Sequence, residues 1–194
     1  MNRPPANTWS LIAVLAIITA LGPMAMQIIL PALPVLQDAF VVPAASVQYA
    51  LSLALFTIAF ATLVYGPASD RYGRRPVLVI GLVIFVIGSI IAALAPTIEI
   101  VVVGRIVQAV GGAAGMVLSR AIVRDLYDRE TAAKLMAYMI TALVVAPMIS
   151  PLIGGLLNDS FGWRAIFIFA GMVGALVLIL ALPKVPQTLQ PGTD

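Results

Sequence analysis

A chain of 194 residues that is 62% apolar and only 10% charged stands far from the average soluble domain, which is about 45–50% apolar and about 25% charged. It contains no cysteine and no histidine, which excludes a disulfide framework, a Cys-based metal site and the usual general base. The formal net charge of +3 would raise a nucleic-acid partner for a soluble protein, but membrane topology accounts for it, and no nucleic acid, cofactor or metal is expected.

Six stretches reach the roughly 20 mainly apolar residues that cross a bilayer. In chain order they are 9–36, 47–66, 77–95, 98–119, 135–157 and 165–182. The predicted fold class is therefore an all-α integral membrane bundle of six helices occupying residues 1–183. The first span has no charge between Arg3 and Asp38. It is longer than the apolar core of a signal peptide, about 7–15 residues, so a cleaved leader is not expected. The fourth span carries one charge, Arg105.

With both ends inside, the cytoplasmic segments hold Arg3, Arg71, Arg74, Arg75, Arg120, Arg124, Arg129, Lys134 and Lys184, nine of the eleven basic residues. The outer loops hold only Arg164. That asymmetry is the positive-inside pattern, and it predicts cytoplasmic termini. The outer loops, near 38–46, 96–99 and 158–164, are too short for an extracellular domain. Between spans four and five, Arg124/Asp128, Asp125/Arg129 and Glu130/Lys134 stand at i,i+4, a spacing that predicts a short solvated helix on the inner surface.

Residues 66–78, GPASDRYGRRPVL, align with residues 155–167, GLLNDSFGWRAIF, at a constant offset of 89. Gly66 meets Gly155, Asp70 meets Asp159, Gly73 meets Gly162 and Arg75 meets Arg164. The first segment lies between spans two and three, inside; the second lies between spans five and six, outside. Two three-helix units are thus inverted copies, the nested arrangement of transporter folds in which one six-helix bundle rocks against another.

In the first copy, Gly66 ends a helix or admits a close neighbour. Asp70 is set among Arg71, Arg74 and Arg75, whose guanidinium groups can give a carboxylate charge-assisted hydrogen bonds. Gly73 permits the turn, and Pro76 suits a first helical turn. A solvated basic loop would meet the inside-positive bias equally well, but it would not require this spacing of Gly, Asp and Arg.

This motif resembles the signature loop of the major facilitator superfamily. Three further stretches are similar to its bicyclomycin-resistance (Bcr/CflA) type of multidrug exporter: Leu30 to Pro34, LPALP; Arg105, Gln108, Gly111 and Gly112 followed by Arg120 to Tyr127; and Ala146 to Pro151 followed by Gly154, Gly155 and Phe161 to Arg164. The resemblance implies the amino-terminal half of a secondary exporter of drug-like small molecules, coupled to protons, in a bacterial inner membrane, and not an enzyme. It implies a transport role for Arg105, with Gln108 one turn on and on the same face. Snorkelling of Arg105 to the outer surface is the alternative.

Exporters of this type usually carry an acid four positions before the Pro-Ala-Leu-Pro stretch. Here Gln27 stands there, and glutamine cannot titrate. It is expected either to bond substrate or to bridge helices. Pro147, Pro151, Gly154 and Gly155 look like the antiporter motif of the fifth helix, with Ser150 where a glycine is usual; an ordinary kinked helix is the other reading. Asp38 and Glu99 fall at outer helix ends. The methionines 24, 26, 116, 136, 139, 148 and 172, with Tyr49, Phe56 and Phe60 on one face of span two, suit either a permissive cavity or, the favoured reading, simple packing. The polar tail 184–194, KVPQTLQPGTD, reads as the start of a central cytoplasmic loop. A second six-helix half is then required, from the same gene or a separate chain. The alternatives are a half-size protein that pairs with itself, a carrier for another solute, or a membrane binding protein that transports nothing.

Overall fold

The computed structural model describes residues 8–188, so Arg3 and positions 189–194 of the tail lie outside it. The described residues form seven α-helices. They are α1 (Thr8–Ile28), α2 (Leu33–Phe40), α3 (Ala44–Tyr72), α4 (Arg74–Ala93), α5 (Ile98–Leu126), α6 (Arg129–Phe161) and α7 (Arg164–Lys184), with one 3-10 turn at Leu30–Ala32 joining α1 to α2. Taking α1 and α2 as one unit, six segments are long and apolar enough to span a membrane. Two boundaries differ from the sequence expectation. The first span, expected at 9–36, runs on to Phe40: the prolines of Leu30 to Pro34 take first-turn positions of the 3-10 turn and of α2, where a missing N–H costs nothing, and the helix resumes beyond them. No separate helix lies between spans four and five. α5 runs on to Leu126, Tyr127 is extended, and Asp128 caps α6 by accepting from the N–H groups of Glu130 (3.1 Å) and Thr131 (3.2 Å). Of the three predicted ion pairs only Glu130–Lys134 forms, at 2.8 Å, because the break at Tyr127 separates the partners of the other two.

Bonds from Thr131, through its side chain and then its N–H, hold the Asp128 carboxyl below the usual aspartate range. A lowered folded-state pKa contributes stability above the unfolded value and loses it as pH falls through the folded one. Protection of the Glu130 and Thr131 amides, taken relative to their intrinsic exchange rates, should therefore fall on acidification, and Asp128→Asn, still a competent cap, should show no such pH dependence.

The inverted repeat is visible in the backbone. Gly73 (φ +94°) and Gly162 (φ +79°), offset by 89 residues, are the two positive-φ glycines among the described residues, and each joins the end of one helix to the next. Their arginine neighbours act reciprocally. Arg75, at the start of α4, donates to the Leu182 carbonyl in the last turn of α7 (2.6 Å); Arg164, at the start of α7, donates to the Ala95 carbonyl just past α4 (3.1 Å). Each cation thereby satisfies a carbonyl at the negative end of the other helix. The two triplets also interlock: α3 packs on α5 while its repeat mate α6 packs on α1. α1 and α5 cross at Gly22 and Gly112, where a Cβ on Gly112 would lie 2.9 Å from the Gly22 Cα. Gly22 and Gly111 are themselves 89 apart, so the repeat axis passes close to this crossing.

Candidate functional site

Arg105 is 2% exposed, in the middle of the bundle, so snorkelling is not what the structure shows. The helices come close enough to bury it because α4 and α5 meet along glycines: a Cβ on Gly88 would sit 2.2 Å from the Gln108 backbone nitrogen. The guanidinium Nη1 donates to the Ala25 carbonyl of α1 (2.8 Å) and to Gln108 Oε1 (2.5 Å). Nη2 donates to Met26 Sδ (3.0 Å). Gln108 Nε2 donates onward to Ser89 Oγ (2.7 Å), which donates to the Phe85 carbonyl (2.8 Å). A chain of polar contacts thus joins α1, α5 and α4, and Ser89 is a member that sequence reasoning did not single out. Arg105 Nε has no partner, and no described carboxylate pairs with the cation. A guanidinium does not give up its proton in a protein, so this centre is positive, with a donor left over. Gln27, on the same turn of α1 as Met26, is half-buried and makes no hydrogen bond among the described residues.

The inner cluster is narrower than its sequence promised. Asp70 and Arg71 belong to the last turn of α3, and the connection to α4 is Gly73 alone. Arg74, only 7% exposed, takes Asp70 Oδ1 at 2.5 Å, Ser69 Oγ at 2.5 Å and, from α5, Asp125 Oδ2 at 3.1 Å. Arg71 instead lies over the Tyr72 ring, 5.4 Å from its centroid, and Arg75 faces α7. Asp125 is the residue that sequence reasoning misplaced: it ties α5 to α4 rather than pairing locally with Arg129. The segment leaving α7 joins in. Thr188 Oγ1 donates to the same Asp125 oxygen (3.0 Å), and the Arg75 N–H donates to Gln187 Oε1 (3.1 Å). Gly66 neither ends a helix nor admits a neighbour within this chain: it lies inside α3, with nothing within 4 Å of a Cβ placed on it. In the outer copy the mate of Arg74 is Trp163, and Asp159 forms no ion pair. The charge cluster is therefore built on one side of the bundle only.

In α6, Pro147 and Pro151 are accommodated without ending the helix, and the Ser150 hydroxyl donates to the Ala146 carbonyl. Gly154 lies directly against the Ile28 carbonyl of α1, whereas Gly155 has only Pro31 near it, at 3.9 Å.

Two grooves flank the α1–α5 crossing. One, of 520 Å³ between α3 and α5, is lined by Leu53, Phe56, Thr57, Phe60, Tyr65, Ile106 and Val110 among others. The other, of 260 Å³, is lined from α1, α6 and α7 and includes Ile17, Leu21, Met24, Ala142, Val145 and Ala146. Five pairs match at the repeat offset: Leu53/Ala142, Phe56/Val145, Thr57/Ala146, Ile106/Ile17 and Val110/Leu21. The repeat thus makes the same groove twice, and side-chain size alone gives an aromatic groove and a smaller aliphatic one. Phe56 and Phe60, for which packing was expected, are 65% and 68% exposed. The methionines divide: Met139 is buried, Met148 and Met172 are exposed, and Met26 is a ligand of Arg105.

A six-helix bundle of two inverted triplets is the repeat architecture of secondary-transporter folds. Residues 15–193 match the Major Facilitator Superfamily, and the chain belongs to that family of transporters. It is similar to multidrug resistance protein D of Escherichia coli (strain K12), 32% identical over 179 residues, covering 92% of this chain and 45% of that protein. It is also similar to a bicyclomycin resistance protein homolog of Haemophilus influenzae, 31% identical over 183 residues, covering 94% of this chain and 46% of that one. The chain therefore spans about half the length of these relatives. The crystal structure of a D-xylose-proton symporter superposes with a TM-score of 0.82 at 21% identity, covering 94% of this chain and 49% of that one, a likeness of fold alone.

Proposed function

We propose that this chain is the amino-terminal half of a secondary active exporter of drugs or other small molecules, working by proton-coupled antiport in a bacterial inner membrane with both termini cytoplasmic. The observation that carries this reading is Arg105: a fully buried cation with one unpartnered donor and no described counter-ion, next to the crossing of α1 and α5. A charge held inside a membrane protein without a counter-ion is a functional site by default. Here it fits a carbonyl or anionic group of a substrate, or a carboxylate of the second half. The names of the relatives support drugs as the cargo. The grooves beside the crossing supply apolar walls, and Phe56, Phe60 and Gln27 are the cavity residues we assign.

The reading also accounts for the open faces of α3 and α6, the two least buried spans, as the surfaces that meet a second six-helix half. Residues 184–194 then begin the loop to that half. We assign Gly66, Asp70, Arg71, Gly73, Arg74 and Arg75, with Asp125, to an inner gate that closes by joining α3, α4 and α5. We assign Pro147, Pro151, Gly154 and Gly155 to the antiporter-like stretch of α6, whose Gly154 seats it against α1.

Coupling is the demanding part. Every described carboxylate sits at a helix end, and Gln27 cannot titrate, so the proton carrier is placed in the second half. The test is dye efflux from vesicles bearing the complete transporter. A protonophore should collapse accumulation against the gradient; efflux that ignores it would remove antiport and favour a carrier for another solute, the reading to which neutral Gln27 points.

A further inference from the structure

α5 ends with Arg120 and Arg124, one helical turn apart and on one face. Both line a cavity of 540 Å³ between α3, α5 and α6, together with Asp70, Arg74, Met116 and Met136. Arg74 is already satisfied by Asp70, Ser69 and Asp125. Arg120 and Arg124 have no hydrogen bond or ion pair with any described residue. Two like charges at i,i+4 repel one another on a helix, and an anion between them turns that repulsion into two charge-assisted contacts. Guanidinium forks match phosphate oxygens. The inside-positive bias explains basic residues at this end of the molecule. It does not explain why two unpaired ones share a concave wall with two thioethers.

We propose that this cavity binds the phosphate headgroup of an anionic phospholipid of the inner leaflet, with Arg120 and Arg124 on the phosphate and Met116 and Met136 against the first carbons of the acyl chains. A soluble phosphate would satisfy the arginines and leave the apolar wall wet; a lipid covers both. Basic pockets between helices on the cytoplasmic side are suited to such headgroups. The leaflet assignment rests on the orientation proposed above, and the phosphate chemistry does not. An occupied site puts negative charge beside the Asp70–Arg74 pair, so the charge of the surrounding lipid becomes an input to the inner gate.

The full chain, purified in detergent, is titrated with phosphatidylglycerol or phosphatidylcholine, and retained adducts are read by native mass spectrometry. Phosphatidylglycerol should be retained over phosphatidylcholine by roughly tenfold, and Arg120→Gln/Arg124→Gln should remove that preference. Arg75→Gln, whose side chain faces α7, should leave it intact. Circular dichroism checks that the double variant is helical; if it is not, Arg120→Gln and Arg124→Gln are compared singly, each with a partial loss. Equal retention of the two lipids, or a preference that survives loss of both arginines, overturns the proposal. Displacement by excess inorganic phosphate reassigns the site to a soluble anion and overturns the lipid. Orientation is read apart from this, because the chain has no cysteine: Thr188→Cys should react with an impermeant maleimide only in inverted vesicles. Reaction from the outer side would overturn the leaflet assignment and leave the phosphate result standing.

Discussion

Arg105→Ala is expected to reduce export to background in a complete transporter carrying this half, while the six helices still insert. Insertion should survive because a mid-span arginine opposes it by about 2.5–3.5 kcal/mol, so its removal makes the fourth span more apolar. What disappears is the centre itself. Without the guanidinium, the Ala25 carbonyl, Gln108 Oε1 and Met26 Sδ lose the donor that draws α1 and α5 together. Among the described residues, no other fully buried charge lies beside the crossing. Arg105→Lys is expected to fail almost as badly. An ammonium group is a point donor on a flexible stem and does not reproduce the fixed fork with which the guanidinium reaches these three acceptors. Dye efflux measured alongside quantified membrane protein checks both variants. Normal efflux by Arg105→Ala would remove Arg105 from the mechanism and take with it the observation on which the transport reading stands.

The largest effect on stability is expected from Gly88→Val. The atoms that a side chain at Gly88 would meet are backbone: the Gln108 nitrogen at 2.2 Å, its Cα at 2.6 Å and the Gly104 carbonyl oxygen at 2.8 Å. No rotamer change relieves such a contact, so α4 and α5 must move apart. Overpacking typically costs about 1–3 kcal/mol, and a backbone clash belongs at the upper end, roughly 6–12 °C in melting temperature for a chain of this size. Parting the helices also breaks Gln108 from Ser89, so the polar chain behind Arg105 should loosen with them. Gly66→Ala is the control. Open space surrounds that position, and alanine in a helix interior is favoured over glycine by about 0.5–1 kcal/mol, so it should melt no lower than the parent. A thermal scan in detergent distinguishes the two; a Gly88→Val protein that melts with the parent would mean that the α4–α5 contact is looser than the structure has it.

The six spans could be read from the sequence because bilayer crossing imposes a length and a composition that no other constraint imitates. The inverted repeat was readable for a related reason. Gly73 and Gly162 must adopt positive φ, which keeps glycine at both ends of the 89-residue offset. What escaped was long-range or depended on helix ends. Asp125 has a local candidate partner in Arg129 and a true one in Arg74, 51 residues away; only the extended Tyr127 separates these cases, and extended geometry at one residue has no strong signature. Leu30 to Pro34 looks like a stop because proline usually ends a helix, yet at a first turn it is tolerated equally well. Phe56 and Phe60 looked like packing residues because apolar side chains in a membrane protein carry no mark of whether they face protein, lipid or a cavity. Arg105 could be found as the one charge inside a span, with Gln108 beside it, but its two ligands on α1, Ala25 and Met26, could not.

The exchange of partners between the two triplets bears on how the protein is made. α1 rests mainly on α6, α3 on α5, and α4 on α5 and α7, so none of the three spans of the first triplet has its main contacts within that triplet. During synthesis α1 must wait in the bilayer, its largely inward-facing surface uncovered, until α6 has left the ribosome. A polypeptide stopped after Ala93 would insert three helices and complete none of these interfaces, leaving it to the proteases that clear orphaned membrane segments. The smallest unit that closes these interfaces is the six-helix bundle, because each span of the first triplet finds its main partner in the second.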